Sequence, residues 1–397
     1  MFVSTQRLYY ADSYLSHFEA QVIASSDDGC RVYLDRTAFY PTSGGQPHDL
    51  GTLGGQIILE VVDGDEGIAH VTAVPITTEQ ITGQIDWQRR YDHMQQHTGQ
   101  HLLSAVLVEL FGFQTLSFHM GSEISTIELD TKELSDAQIE AAEQRSNIIV
   151  RESRPVKVEF EDSEAVEGLR KPSDRSGILR IVTIQGLDRS ACGGTHVRST
   201  AETGPILVRR TEKIRGNTRL EFVCGDRAIR RAKQDFRIVL HLARQSGTPI
   251  DSLPQHTASL KLRLADSEKE RQRLTLELAR CDGEALYETT QASSDGLRRV
   301  LLKVDSIDES IRAKAQAFTG KRRAAALAIG SNPPGVLVAC SSDSGLNAGA
   351  ILKHVTPRGG GSATLAQGSL PDEASSQLLQ TKLGFETSCL PRKPKSQ

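Results

Sequence analysis

Residues 97–105 read HTGQHLLSA and lie within 92–111, a segment whose apolar spacing predicts a helix. At 100° per residue, the His97 and His101 side chains lie within about 40° of each other, while the leucines gather on the opposite face. Two imidazoles at this spacing can share one metal ion, although such a pair also arises by chance in a chain with 11 histidines. Thr98 stands where a zinc protease carries glutamate, which excludes that class of enzyme.

A second pair of metal-binding residue types stands far along the chain. Residues 190–197 read SACGGTHV, which sets Cys192 and His196 four positions apart. Gly193 and Gly194 permit a tight turn, so the thiol and the imidazole can converge. Three imidazoles and one thiolate suit tetrahedral zinc. The sequence therefore predicts a Zn2+ site whose ligands are His97, His101, Cys192 and His196.

The role of that ion stays open at this point. Ligands drawn from two distant elements usually meet in a cleft of a preformed domain, which favours a catalytic ion. Four protein ligands fill a tetrahedron, which favours a structural ion.

Composition and charge bound the class of protein. The chain has 397 residues, 38% hydrophobic and 24% charged, as in a globular protein of two or three domains. A net charge of −3 means that any RNA contact needs a local basic patch. The cysteines form no CxxC pair, the first residues lack a signal-peptide pattern, and no apolar run is long enough to span a bilayer. We therefore expect a cytoplasmic protein with reduced thiols and no membrane partner.

Strand and helix patterns predict an α+β multidomain chain. Residues 1–85 read as short strands punctuated by Gly, Pro and Asp, as in a small β-barrel. Residues 86–235 mix helices with the strands of an antiparallel sheet. Residues 236–295 carry spaced leucines and predict a helical or coiled-coil linker. Residues 296–397 have an α/β pattern, including a helix pattern over 311–330 and a glycine-rich loop at 357–369.

Four stretches resemble one known family. HTGQHLLSA with CGGTHV is similar to the editing domain shared by alanyl-tRNA and threonyl-tRNA synthetases. Residues 35–51, DRTAFYPTSGGQPHDLG, resemble the barrel before that domain in alanyl-tRNA synthetases, and residues 203–225 resemble the strands after the second zinc pair. PRGGGSATLAQGS (357–369) resembles the glycine-rich signature of the DHHA1 domain. With no aminoacylation domain expected before the barrel, the resemblance is to freestanding alanyl-tRNA editing proteins in their long form, with a DHHA1-like C-terminal domain.

The resemblance implies a trans-editing hydrolase that deacylates mischarged alanine tRNA, namely seryl-tRNA(Ala) and also glycyl-tRNA(Ala). Such editing is needed because an alanine pocket cannot strongly reject an amino acid that adds only a hydroxyl or lacks a methyl. The resemblance implies that the four zinc ligands carry the catalysis. It places the amino-acid pocket near residues 117–129. The synthetases often have glutamine at the position that aligns with His119. The substrate-binding candidates are His119, Ser122, Thr126, Gly193 and Gly194.

Two basic segments of the chain are candidates for RNA contacts. Clustered cations suit phosphate binding, and the DHHA1-like segment is expected to reach the tRNA elbow. The expected partners are alanine tRNA, through its acceptor end and elbow, and a second copy of the chain, through the linker helix or the DHHA1-like domain. The RNA-binding candidates in the first basic segment are Arg209, Arg210, Lys213, Arg215 and Arg219. Those in the second segment are Arg358, Gly359, Gly360 and Gly361.

Two alternatives to this function remain. One is a non-catalytic tRNA-binding module with structural zinc. The other keeps the hydrolase but changes its substrate to the seryl-tRNA of threonine, and the DHHA1 resemblance argues against it.

Overall fold

The computed structural model describes residues 5–356 and 358–385. The chain splits into two compact units, Met1–Gln245 and Ser246–Gln397. Both combine helices with mostly antiparallel sheets, which confirms the α+β multidomain class. The four domain boundaries stay a prediction. Within the described residues, no helix has both the length and the apolar character that crossing a membrane requires.

The first part of the first unit consists of short strands, as the Gly and Pro punctuation predicts. Six strands pair in the cyclic order β2-β3-β7-β6-β5-β8, and β1 pairs with β4. In β2 and β8, buried side chains alternate with exposed ones at the strand period of two, so one face of this sheet encloses a core that includes Leu34 and Phe39. The elements are β1 Gln6–Arg7, α1 Leu8–Ala11, β2 His17–Ser25, β3 Arg31–Leu34, β4 Arg36–Thr37, β5 Gly51–Leu53, β6 Gln56–Gly64, β7 Gly67–Thr72 and β8 Gln80–Ile85.

The histidine helix is α2, Trp87–Phe111. It begins five residues before the predicted start at residue 92, because the Asp86 side chain accepts a hydrogen bond from the Arg89 amide and caps the helix there. It ends at Phe111, the last residue of the predicted segment, and Gly112, with a φ of 74°, provides the left-handed cap.

The rest of the first unit packs two antiparallel sheets around the leucine face of α2. The sheets have the orders β14-β15-β10-β9 and β11-β12-β13. Leu102, Leu103, Val106 and Leu107 are fully buried in the core between these elements, so the histidines project elsewhere. The elements are β9 Thr115–Met120, β10 Ser125–Leu129, α3 Asp136–Arg151, β11 Val156–Asp162, β12 Ile178–Ile184, β13 Asp188–Ala191, β14 Ile206–Ile214, β15 Asn217–Cys224 and α4 Gly225–Ser246.

The second unit contains the long leucine-bearing helix and a five-stranded sheet in the order β16-β17-β18-β20-β19. The helix lies within the predicted linker segment, residues 236–295. The elements are α5 Leu253–Thr289, β16 Arg298–Val304, α6 Glu309–Thr319, β17 Ala324–Ser331, β18 Pro334–Cys340, α7 Ala348–Lys353, β19 Gly359–Gly361, β20 Leu365–Ser369 and α8 Glu373–Lys382.

Two predictions for the second unit were wrong. The helix pattern over 311–330 holds only to Thr319, and its alanine-rich end is the interior strand β17. Ala324–Ala328 are fully buried between two neighbouring strands, and this burial overrides the helix propensity of alanine. The predicted glycine-rich loop at 357–369 contains the strand pair β19 and β20. A Cβ on Gly361 would overlap the Leu365 carbonyl, so only glycine permits this close pairing.

Candidate metal centre

Four side chains from two distant elements converge in the first unit. The ligand atoms of His97, His101, Cys192 and His196 all lie within 4.8 Å of one another. Cys192 Sγ lies 3.4 Å from Nε2 of His97 and 3.4 Å from Nε2 of His196. Ligand atoms around a tetrahedral zinc ion lie about 3.5 Å apart, given Zn–N near 2.0 Å and Zn–S near 2.3 Å. The donor set and its spacing therefore fit zinc.

Each imidazole is oriented by a hydrogen bond at its far nitrogen. Nδ1 of His97 donates to Gln46 Oε1 at 2.8 Å, and Nδ1 of His101 donates to Asp188 Oδ2 at 2.8 Å. Nδ1 of His196 lies 3.1 Å from the Thr98 hydroxyl. Because a carboxylate and an amide oxygen only accept, the Nδ1 atoms that they bind carry a proton, and Nε2 is the nitrogen of each ring that can bind a metal. This support of ligating histidines is typical of metal sites.

The strand end at β13 and the turn after it position the thiol. The Cys192 amide bonds to the Arg180 carbonyl of β12, and the Arg180 guanidinium donates back to the Cys192 carbonyl at 2.6 Å. The amide of Gly194 lies 3.3 Å from the Cys192 sulfur. Gly194 is required for space rather than for an unusual φ, because a Cβ there would overlap the His97 ring.

The electrostatics of the cluster favour a metal-binding thiolate. Burial raises the pKa of Cys192, but the imidazoles around it lower that pKa well below its usual range and dominate. Burial lowers the pKa of His196 to about 3. Burial also lowers the pKa of His101, whereas its hydrogen bonds to Asp188 and Cys192 raise that pKa to about 9. A divalent cation would therefore meet a thiolate and compete with one proton on His101.

The cluster opens onto a cleft of about 310 Å³. His97, His101 and Cys192 line this cleft, and His196 is not among the lining residues. Phe118 forms part of the wall, with its ring centroid 5.3 Å from that of His97. The cations that line the cleft are Arg7, Arg170, Lys171 and Arg175.

Comparisons with known proteins find relatives that match the segments carrying this site. The family described as "Threonyl and Alanyl tRNA synthetase second additional domain" matches residues 179–221, which include Cys192 and His196. The alanyl-tRNA editing protein Aarsd1 of Danio rerio is 38% identical over 217 residues, covering 53% of each chain. The Aarsd1 of Mus musculus is 36% identical over 241 residues, covering 55% of this chain and 58% of the mouse protein. The chain is a homologue of the alanyl-tRNA editing proteins.

The resemblance to alanyl-tRNA editing proteins is thereby confirmed, and the DHHA1-like assignment of the C-terminal segment stays a prediction. The alanine–tRNA ligase of Pyrococcus abyssi is also similar, with 30% identity over 404 residues that cover 93% of this chain and 42% of the ligase. The chain spans about half the length of the curated alanyl-tRNA editing proteins it matches.

The structure separates the predicted substrate-binding residues of this homologue into two groups. Gly193 and Gly194 line the cleft beside the metal ligands. His119 is exposed on β9, and Thr126 lies on β10 directly opposite it; neither lines the cleft. Ser122 lies in the turn after β9 and lines a different pocket. The role of these three residues in substrate binding stays a prediction.

The first predicted RNA-binding group lies on the hairpin of β14 and β15. Several of its cations have acidic partners: Arg209 with Asp235 at 2.5 Å, Arg210 with Glu221 at 2.9 Å, and Lys213 with Glu133 at 3.5 Å. Arg215 stands in the turn between the strands, and Arg219 stands on β15. In the second group, Arg358 is exposed and precedes Gly359, Gly360 and Gly361 of β19. RNA binding by both groups stays a prediction.

Sequence reasoning missed the residues that orient the ligands. Gln46 lies in the loop between β4 and β5. It is 51 positions from His97, and no local sequence pattern connects these two residues. Asp188 offered a signal, because it is an acid four positions before Cys192 in a stretch with strand character. Arg170 binds the other oxygen of Asp188 at 2.7 Å and also lines the cleft. One guanidinium group therefore contacts both the cleft and the carboxylate that orients His101.

Proposed function

We propose that this chain is a zinc-dependent aminoacyl-tRNA deacylase that hydrolyses the ester of mischarged alanine tRNA in trans. Its proposed substrates are seryl-tRNA(Ala) and glycyl-tRNA(Ala). The observation that carries the proposal is that three of the four metal-ligand residues line an open cleft. A purely structural site has no need of such access, whereas a catalytic site must admit its substrate.

The residues that would hold zinc are His97, His101, Cys192 and His196. Zinc bound there would supply Lewis-acid polarisation to the hydrolysis. The chain itself supplies position: Gln46 and Asp188 fix the tautomers of His97 and His101, and the Thr98 hydroxyl lies beside Nδ1 of His196, so that the Nε2 atoms are directed toward one another.

The cleft lining suits the end of a charged tRNA. The ring of Phe118 and the apolar edges of Tyr10 and Tyr40 offer surfaces on which a terminal base or ribose can pack. Lys171 and Arg175 are exposed cations on the same cleft and can contact the backbone phosphates of the acceptor end. The buried Gln100 and the hydroxyl of Ser117 are polar groups that can contact the amino acid.

A deacylation assay on zinc-loaded protein tests this function. Release of serine from seryl-tRNA(Ala) is expected, with glycyl-tRNA(Ala) and correctly charged alanyl-tRNA compared in the same preparation. Cys192→Ala should abolish hydrolysis without unfolding the chain, and Cys30→Ala, a free half-buried thiol of the same unit, should not. Tight tRNA binding without hydrolysis of any mischarged tRNA would contradict the hydrolase and favour the alternative, a non-catalytic tRNA-binding module with structural zinc.

The proposed partners are alanine tRNA and a second copy of the chain. Leucines 260, 264, 274 and 278 of α5 are about half or more exposed, which suits a helix-to-helix contact between copies. Sedimentation of the wild type and of a variant with Leu264 and Leu278 changed to Gln should show a dimer and a monomer, respectively. A monomeric wild type would contradict the contact.

A further inference from the structure

A second pocket, also of about 310 Å³, follows the metal cleft along the same two elements. His97 of α2 and Phe118 of β9 line the metal cleft, whereas His93, one helical turn earlier, and Ser122, just after β9, line the second pocket. The two cavities therefore lie next to each other on the first unit.

The second pocket is built for negative charge. Three guanidinium groups line it, from Arg89, Arg227 and Arg230, against two carboxylates, from Asp86 and Asp92. Asp92 is engaged by Arg227, with contacts at 2.6–2.9 Å, and Asp86 caps α2. The balance therefore leaves one net positive charge facing the cavity.

Two helices also begin at this pocket. Gln88 and Arg89 belong to the first turn of α2, and Arg227 and Arg230 belong to the first two turns of α4. These helices have 25 and 22 residues, and the positive ends of their dipoles add to the charge of the guanidinium groups.

A buried imidazole in the pocket lacks a partner. His93 is only 2% exposed, and its Nδ1 has no hydrogen-bond partner among the residues that the structure describes. A buried ring nitrogen without a partner is costly unless a ligand or water satisfies it. His93 lines the pocket, and in its Nδ1–H tautomer this nitrogen can donate to an oxyanion that reaches it. Arg227 retains further N–H groups beyond those that bind Asp92 and the Gly121 carbonyl.

We propose that this pocket, formed by His93, Arg89, Arg227 and Arg230, binds a phosphodiester group of the RNA substrate. The proposal rests on the proposed function, because it supplies the acceptor strand with an anchor one helical turn from the metal site. An anchor at a fixed distance from the reacting ester orients the strand, which a cation free in solution cannot do. It also adds a place for RNA binding to the two predicted from the sequence.

Binding of an uncharged acceptor-stem minihelix of alanine tRNA tests the site. Fluorescence anisotropy is measured from 50 to 200 mM salt on the zinc-loaded full chain. Arg230 is exposed, so Arg230→Glu leaves the core intact. It should weaken binding about 10-fold or more and reduce the slope of log K against log salt by about one, as expected for one lost phosphate contact. Arg89→Gln should weaken binding in the same direction.

Arg237→Glu is the matched control, because it makes the same charge change on an exposed residue seven positions further along α4, outside the pocket. It should leave the affinity within about two-fold of the wild type. Equal losses in Arg230→Glu and Arg237→Glu would overturn the site, because they would show only a general effect of net charge. His93→Leu removes the unpartnered nitrogen and should weaken binding, while zinc content stays at the wild-type value and the thermal midpoint is not lowered.

Inorganic phosphate separates an RNA site from a site for a free anion. Millimolar phosphate should compete with the minihelix in the wild type and less so in Arg230→Glu. If Arg230→Glu removed the stabilisation by phosphate but left minihelix binding unchanged, the RNA assignment would be overturned.

The hydrolase activity is tested separately. If the wild type binds the minihelix through Arg230 but deacylates no substrate, the proposed activity is contradicted and the phosphate site is retained. If the wild type deacylates its substrate while Arg230→Glu binds the minihelix normally, only the phosphate site is contradicted.

Discussion

Nδ1 of His101 donates to Oδ2 of the buried Asp188 over 2.8 Å. The other oxygen of that carboxylate accepts from Arg170 at 2.7 Å, and the Ser190 hydroxyl donates to the same group. Burial raises the pKa of Asp188, but the hydrogen bond from His101 and the charge of Arg170 lower it to about 2. The carboxylate is therefore ionised throughout the physiological range, and it holds His101 in one orientation.

Asp188→Asn keeps an oxygen that can accept from His101 but removes the charge. We expect zinc affinity to fall about 10- to 100-fold, the usual cost of losing the outer partner of a ligating histidine. Chelator competition measures the change. Asp65→Asn, at an exposed acid of the same unit, is the control and should not change the affinity. Unaltered zinc binding in Asp188→Asn would show that the carboxylate plays no part in holding the metal.

The two neighbouring glycines of the CGGTH turn should respond differently to the same methyl group. A Cβ on Gly194 would overlap the His97 ring, whereas the atom nearest to a Cβ on Gly193 is the Tyr10 hydroxyl at 3.4 Å, an ordinary contact. Neither residue has a positive φ, so the backbone tolerates alanine at both. Gly194→Ala should displace His97 and lose most bound zinc, and Gly193→Ala should retain it. Metal content by elemental analysis decides, and equal zinc in both variants would contradict the geometry.

Gln46→Leu should destabilise the first unit by about 2 kcal/mol, because it leaves the buried Thr195 amide and the His97 ring N–H without an acceptor. Trp87 is the single tryptophan and lies at the start of α2, so its fluorescence during urea unfolding reports on this unit. Gln84→Leu, at an exposed position of β8, should change stability by no more than about 0.5 kcal/mol. A Gln46→Leu variant as stable as the control would mean that relaxation or water replaces the lost bonds.

His70 should make the first unit sensitive to acid. It is fully buried, its Nε2 lies 2.8 Å from the Thr37 hydroxyl, and burial lowers its pKa from 6.5 to about 4. As pH falls below 6.5 the unfolded chain gains a proton that the folded chain refuses until about pH 4, so folding stability decreases across that window. From pH 7.5 to pH 5 this one group should cost about 2 kcal/mol.

The comparison is between wild type and His70→Gln, each unfolded in urea at both pH values with the fluorescence of Trp87. The variant keeps a side-chain amide near Thr37 but has no proton to gain, so its loss of stability on acidification should be smaller by that amount. Other histidines and any bound metal contribute equally to both proteins and cancel. Identical pH dependence in the two proteins would rule out His70 as the sensitive group.

The sequence anticipated elements whose patterns are local. Short strands occupy most of residues 1–85, as their Gly, Pro and Asp punctuation predicts, and the helix predicted over 92–111 ends at Phe111. It missed the start of α2, because the capping contact of Asp86 lies outside the apolar periodicity. It was wrong about Ala324–Ser331, because alanine favours helix locally and only burial between two strands makes this segment extended.

By itself, the sequence determined which residues can bind a metal, since an imidazole pair and a Cys–His pair at a spacing of four are chemical facts of the chain. Only the tertiary structure decided that these pairs meet, that Gln46, Asp188 and Thr98 orient the rings, and that Ser122 and His93 line another pocket. The physical reason is distance along the chain. A side-chain hydrogen bond across 51 or 87 positions exists only after the strands and helices have packed, and no local pattern encodes it.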